Sequence, residues 1–261
     1  MADRDQWMRR LGPLYPGAVA IRQTTAMRWP GGLAATTEDA ERAAPWMVAV
    51  GAMLGVAAWV VAWLLGRLDV PVALRGALAV LTLTALTAAL LDVGLARVVE
   101  RWLGRDDDLG AVGPAGTSAM LAVTVARVIA IITIRPSAWL AALVVAPLCG
   151  RWAALALQRL GDVLEPAMPE RRSLVVGGVS WLQLGVVTAL VAVIAVLGLG
   201  ATALLLLAVI GAVAFVAGLV AERARGGLDG YTLAAVAAAC EVIALVGVAA
   251  MAPALTSPWL G

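Results

Sequence analysis

Residues 90–116 read LLDVGLARVVERWLGRDDDLGAVGPAG, the longest hydrophilic interruption between two runs that could each cross a bilayer. Acids at the edge of an apolar helix suit either a divalent-metal site or a solvated loop. Asp92, Glu100, Asp106, Asp107 and Asp108 supply those acids here, with Arg97, Arg101 and Arg105 beside them to pair with carboxylates or face phosphates. Asp92 and Glu100 are eight residues apart, so on a continuous helix they share a face about 12 Å apart, too far for one ion unless the helix breaks. A run such as Asp106 to Asp108 is more often solvated loop than metal site.

The rest of the chain settles the solvent. At 62% hydrophobic residues and a mean hydropathy of +0.95, 261 residues carry more apolar surface than a soluble core can hide. This predicts an all-α, polytopic membrane bundle in contact with lipid. A net charge of +2 gives no argument for nucleic acid. Cys149 and Cys240 both lie within apolar runs and read as small buried hydrophobes rather than a disulfide or metal pair. There is no histidine. That excludes a Ser/His/Asp triad and histidine-ligated zinc, and leaves acids, arginines and a hard cation as the available tools.

Spans of about 20 residues match the hydrocarbon thickness at the helical rise. Seven are expected, at 46–65, 77–95, 118–134, 138–157, 174–197, 201–221 and 232–251. Arg75 joins the second helix if its side chain reaches the headgroups. Residues 44–261 thus form a transmembrane domain preceded by an arm, 1–43, which lacks the apolar centre of a cleavable signal peptide. Within that arm, residues 18–29 fit a short helix at the membrane surface and a loosely packed segment equally well. Arginines crowd the arm and the loops after the second, fourth and sixth spans. The positive-inside rule then places the N-terminus in the cytoplasm and the C-terminus outside.

Small residues mark helix contacts: Gly51 and Gly55 form a GxxxG pair, and Gly177, Gly178, Ala214 and Gly218 are similar flat spots. Pro147 removes a backbone donor one turn before Arg151. Arg127, Arg151 and Glu241 lie deep within spans, where a charge costs about 2.5 to 3.5 kcal/mol on insertion scales. Each therefore needs a partner or a wet cavity. Pairing of Glu241 with either arginine and a substrate-binding role are both open, and an arginine fork suits a phosphate or diphosphate.

From 24 to 245 the chain resembles the cobalamin synthase family, the membrane adenosylcobinamide-GDP ribazoletransferases. RQTTAMRWPGG and the helix that follows are similar to the family's opening "LTRLP" and "RALAWFPLVGLLLG" segments. APLCGRWAALAL resembles "APxxxRWAxL", which places Arg151 on the family arginine, and ARGGLDGYTLAAVAAACEVIAL resembles "GGVTGDTLGAxxxxxE". The resemblance implies transfer of the cobinamide-phosphate moiety of adenosylcobinamide-GDP to alpha-ribazole, or its 5′-phosphate, with release of GMP. It also implies magnesium on the diphosphate, corrinoid and nucleotide ligands, a bacterial cytoplasmic membrane, and a homo-oligomer or a complex with other cobalamin-pathway membrane enzymes.

The acidic motifs depart from the family pattern. HLDGLADTADG falls on LDVGLARVVER, so Gly94, Leu95 and Ala96 match while the three aspartates meet Val93, Arg97 and Glu100 and the histidine meets Leu91. In DSRxGxFG the aspartate and arginine meet Val112 and Pro114, and in TGD the aspartate meets Tyr231, with Asp229 two residues earlier. One expectation is a transferase with Glu100 and Asp92 as catalytic acids. Its metal would be held by Asp92, Glu100, Asp106, Asp107 and Asp108, and its substrate by Arg97, Arg127, Arg151, Glu241 and Asp229. Magnesium needs only one or two protein carboxylates. The other expectation is a non-catalytic homologue that binds corrinoid or nucleotide, or acts as a scaffold. A small transporter ranks last, having buried charges as its only support.

Overall fold

A computed structural model describes residues 2–27, 35–104, 112–164 and 173–251. The described chain is helical, with α1 (Ala2–Leu11), α2 (Tyr15–Thr24), α3 (Thr37–Arg67), α4 (Val72–Leu86) and α5 (Leu90–Trp102) in its first part. There follow α6 (Pro114–Thr133), α7 (Trp139–Leu160), α8 (Trp181–Leu199), α9 (Thr202–Arg225) and α10 (Gly230–Met251). Among the described residues, α3, α6, α7, α8, α9 and α10 are long and apolar enough to cross a membrane, and α4 with α5 makes a seventh span if the bent pair is one crossing.

That bent pair corrects the sequence expectation of a continuous helix at 77–95. The chain turns by 80° between α4 and α5. Ala88 and Ala89 hold the turn in the left-handed region, at φ 49° and 54°. Non-glycine residues pay about 1–2 kcal/mol each for that conformation, so tertiary contacts must hold it. The turn brings the first turn of α5, and Asp92 with it, into the bundle.

A second correction concerns the span expected at 174–197. Helix α8 begins only at Trp181, with Ser180 and Gln183 forming a reciprocal capping box. Leu174, Val175 and Val176 are buried as irregular chain outside any helix. Gln158 of α7 supports them: its amide nitrogen donates to the Leu174 carbonyl at 2.8 Å, and its carbonyl accepts from the Val176 N–H at 2.8 Å. Burial of an irregular backbone requires such partners, and a polar side chain on a neighbouring helix supplies them.

The N-terminal helices dock on α3. Tyr15, Ala18, Val19 and Ala20 are buried, and Gly17 lies against the Trp46 ring, where an added Cβ would come within 2.9 Å. Arg4 grips Asp39 with both a 2.7 Å and a 2.8 Å hydrogen bond, and Asp39 also closes the capping box with Thr36 at the start of α3. The segment at 18–29 is thus helical through Thr24, while Arg28 and Trp29 lie outside the described residues. Gly51 and Gly55 face α7, as their spacing predicts. Gly177 and Gly178 instead precede α8 in irregular chain, Gly177 at a bend with φ 85°.

Candidate functional site

Two clusters gather the ionisable residues singled out in the sequence. The deeper one joins α5, α6, α7 and α10. Asp92 accepts from Arg127 at 2.5 Å, Arg127 also donates to Glu241 at 3.2 Å, and Glu241 accepts from Arg151 at 3.2 Å. All are buried, Arg151 with only 2% of its surface exposed. The two arginines balance the two carboxylates. An isolated charge in hydrocarbon is costly, and the alternating arrangement of opposite charges offsets that cost for these residues. Arg151 additionally donates to the Pro147 carbonyl of its own helix at 3.2 Å.

A cavity of about 20 Å³ adjoins this cluster, with Thr84, Thr87, Asp92, Arg127, Arg151 and Glu241 in its wall. The Thr84 hydroxyl and the Nε atoms of Arg127 and Arg151 are buried without protein partners among the described residues. The space suits a single water, which such polar groups hold well.

The second cluster sits where α5 ends and α10 begins. Arg101 pairs with Asp229 and lies over the Tyr231 ring at 4.9 Å. Arg225 approaches the same Asp229 oxygen at 3.4 Å, and the Thr232 N–H donates to the other at 2.7 Å. The parallel bridge between Val163 and Leu228 fixes this corner, with the Leu164 N–H donating to Leu228 at 2.8 Å. Burial raises the Asp229 pKa, but the Thr232 hydrogen bonds and Arg101 outweigh it and hold the carboxyl below its usual range. A depressed folded-state pKa contributes stability above the unfolded value that is lost as pH falls through the folded one. Asp229→Asn is therefore expected to flatten the fall in melting temperature between about pH 5 and pH 3, read by detergent-based thermal unfolding.

Glu100 is buried and faces the start of α6, where its Oε1 accepts the Gly116 N–H at 2.6 Å. A carboxylate at a helix N-terminus meets both an unsatisfied donor and the positive end of the dipole. Glu100 and Asp92 thus serve different neighbours two turns apart, as their spacing implies. Arg97 stands one turn before Arg101, and its buried Nε has no partner among the described residues.

A divalent metal does not fit either cluster. No group of three or more acid or cysteine side chains converges among the described residues, and Asp92, Glu241 and Asp229 are engaged by arginines. Asp106, Asp107 and Asp108 lie outside the described residues.

Beside the second cluster runs a crevice of about 570 Å³ between α5, α9 and α10. Leu95, Val99, Trp102, Val216 and Val236 are among its apolar walls, and Arg225 and Thr232 give it a polar end at Asp229. An amphiphilic molecule with an anionic group matches this combination.

Residues 18–249 match the cobalamin-5-phosphate synthase family. The chain belongs to that family. An adenosylcobinamide-GDP ribazoletransferase of Stutzerimonas stutzeri (strain A1501) is 34% identical over 219 residues, covering 77% of this chain and 84% of its own. No solved structure matches. Family membership together with the helical bundle identifies a multi-pass membrane protein of cobalamin synthesis.

Arg127, Arg151, Glu241, Asp92, Glu100 and Asp229 carry signals in the sequence, but the pairings around Asp229 do not. Arg225 closes α9 and Asp229 lies in the non-helical turn after it, so their contact follows from how Gly226 reverses the chain rather than from helical spacing. The approach of Arg101 and Tyr231 depends on how α5 crosses α10, for which the sequence holds no local sign.

Proposed function

We propose that this chain transfers the cobinamide-phosphate moiety of adenosylcobinamide-GDP to alpha-ribazole, or its 5′-phosphate, at the cytoplasmic face of a bacterial membrane. The ribazole 5′ oxygen forms a bond to the phosphorus next to cobinamide, the bond to GMP breaks, and the hydroxyl proton passes to solvent or a base. The observation that carries this reading is the family match across residues 18–249, supported by the 34% identical ribazoletransferase. Arginine asymmetry between alternate loops supports the cytoplasmic placement of Glu100 and Asp229. Phosphoryl transfer relies mainly on positioning and charge stabilisation. Arg97, with its unpartnered Nε, and the arginines around Asp229 are the described groups suited to the diphosphate.

A second reading has its own support. The described candidate acids already have partners: Asp92 and Glu241 with arginines, Asp229 with Arg101 and Arg225, and Glu100 with a helix N-terminus. On this reading the fold binds corrinoid or nucleotide without turnover.

Purified protein in liposomes, given adenosylcobinamide-GDP, alpha-ribazole and magnesium, separates the two by GMP release. Turnover is expected, and Arg97→Gln should lower it about tenfold or more while leaving the melting temperature unchanged. Retention of corrinoid without GMP release would establish the binding protein instead.

A further inference from the structure

We infer that a pocket at the opposite end of the bundle from Glu100 and Asp229 binds the phosphate of an anionic phospholipid. This site is independent of the transfer reaction. The pocket measures about 280 Å³ and lies where α3 ends and α4 and α7 begin, with Trp59, Trp63, Arg67, Arg75 and Trp139 in its wall.

The charge of the pocket is unbalanced. Neither Arg67 nor Arg75 has a carboxylate within ion-pair distance among the described residues, although Asp69 lies in the intervening turn. Each guanidinium instead lies over an indole, Arg67 above Trp63 at 4.8 Å and Arg75 above Trp139 at 5.8 Å. Stacking positions a guanidinium without neutralising it, and leaves its N–H groups free for a phosphate. The Arg75 Nε is buried and has no partner among the described residues.

The surroundings hold this arrangement in place. Trp139 is buried, and its N–H donates to the Ile131 and Ile134 carbonyls, both at 2.9 Å. Gly66 allows Arg75 to lie directly against the end of α3, because a Cβ there would collide with its Nη1. Trp59, Trp63 and Arg67 follow at intervals of four along α3, and the two rings are 6.5 Å apart.

Position selects a lipid over a soluble anion. Tryptophans mark both membrane interfaces, and Trp59, Trp63 and Trp139 place the two unneutralised arginines at one of them, where their forks meet lipid phosphates. Leu64 and Leu68 are exposed at the end of α3, apolar surface for the acyl chains of a bound lipid.

The test is native mass spectrometry of the full chain in detergent, titrated separately with dioleoyl phosphatidylglycerol and dioleoyl phosphatidylcholine. Phosphatidylglycerol should be retained preferentially, Arg67→Gln and Arg75→Gln should each weaken it about fivefold, and millimolar inorganic phosphate should not displace it. Equal retention of phosphatidylcholine, or unchanged binding in the variants, would overturn the inference. Displacement by inorganic phosphate would overturn the lipid assignment in favour of a soluble-anion site. Arg67 is exposed, so Arg67→Gln alone decides the matter if Arg75→Gln does not fold; its unchanged melting temperature without lipid is the control.

Discussion

Glu241→Ala is expected to lower the melting temperature of the detergent-solubilised protein more than any other single carboxylate substitution. Among the described carboxylates, Glu241 alone pairs with both buried arginines, Arg127 from α6 and Arg151 from α7. Its removal leaves two guanidiniums and one carboxylate in the bundle interior. Breaking a buried pair by deleting one partner costs about 3–5 kcal/mol, chiefly because the remaining charge is stranded. Asp92→Ala should cost less, since Arg127 retains Glu241, and the start of α5 can admit water through the adjoining cavity. Combining Glu241→Ala with Arg151→Met should recover part of the loss, because the second change removes the stranded cation and replaces it with apolar volume. Thermal unfolding followed by gel filtration measures all of these variants. If Glu241→Ala melts with the parent, the ion pairs do not hold α7 and α10 together.

How far this cluster was legible depends on which physical signal each part leaves in the sequence. A charge inside an apolar run is visible at once, and it forces a partner wherever the helices lie, so Arg127, Arg151 and Glu241 stood out together. Their pairing is a matter of helix placement, and Asp92 reaches it only because α4 and α5 part at an angle. That turn is made by Ala88 and Ala89, residues that ordinarily favour helix and carry none of the glycine or proline punctuation of a break. The apolar run at 174–180 misled in a related way. Hydropathy reports burial, and irregular chain latched by Gln158 is buried as completely as a helix. Glu100 stands in register with the family acids, yet its position beneath the α6 N-terminus depends on how α5 packs against α6, for which the sequence holds no local sign. By contrast, GxxxG at Gly51 and Gly55 translated directly into a close crossing, because a missing Cβ is a steric fact that survives any change of partner.

Gly55→Ala should be nearly as disruptive as the loss of Glu241, and for a reason linked to it. A Cβ at position 55 would come within 2.7 Å of Val144 Cα and closer still to the Leu143 carbonyl oxygen, all backbone of α7. Backbone cannot move aside as a flexible side chain can, so the helices must separate. Overpacking of this kind costs about 1–3 kcal/mol, and Gly55→Leu should cost more. The crossing is specific to this level because Pro147, lacking an N–H, leaves the Leu143 carbonyl without its usual helical donor, and the bare Gly55 backbone packs onto that carbonyl. One turn further along α7, Gly51 faces the Pro147 carbonyl and the Arg151 side chain, each 2.8 Å from its would-be Cβ. Displacing α3 therefore disturbs the surface against which Arg151 is held toward Glu241. Gly55→Ala and Glu241→Ala should accordingly combine to less than the sum of their separate effects. Gly185→Ala on α8 is the opposite case: no atom lies within 4 Å of its would-be Cβ, and the gain in helix propensity should stabilise by about 0.5–1 kcal/mol. A destabilised Gly55→Ala beside a stabilised Gly185→Ala would identify contact with α7, and not the general preference of helices for alanine, as what keeps position 55 a glycine.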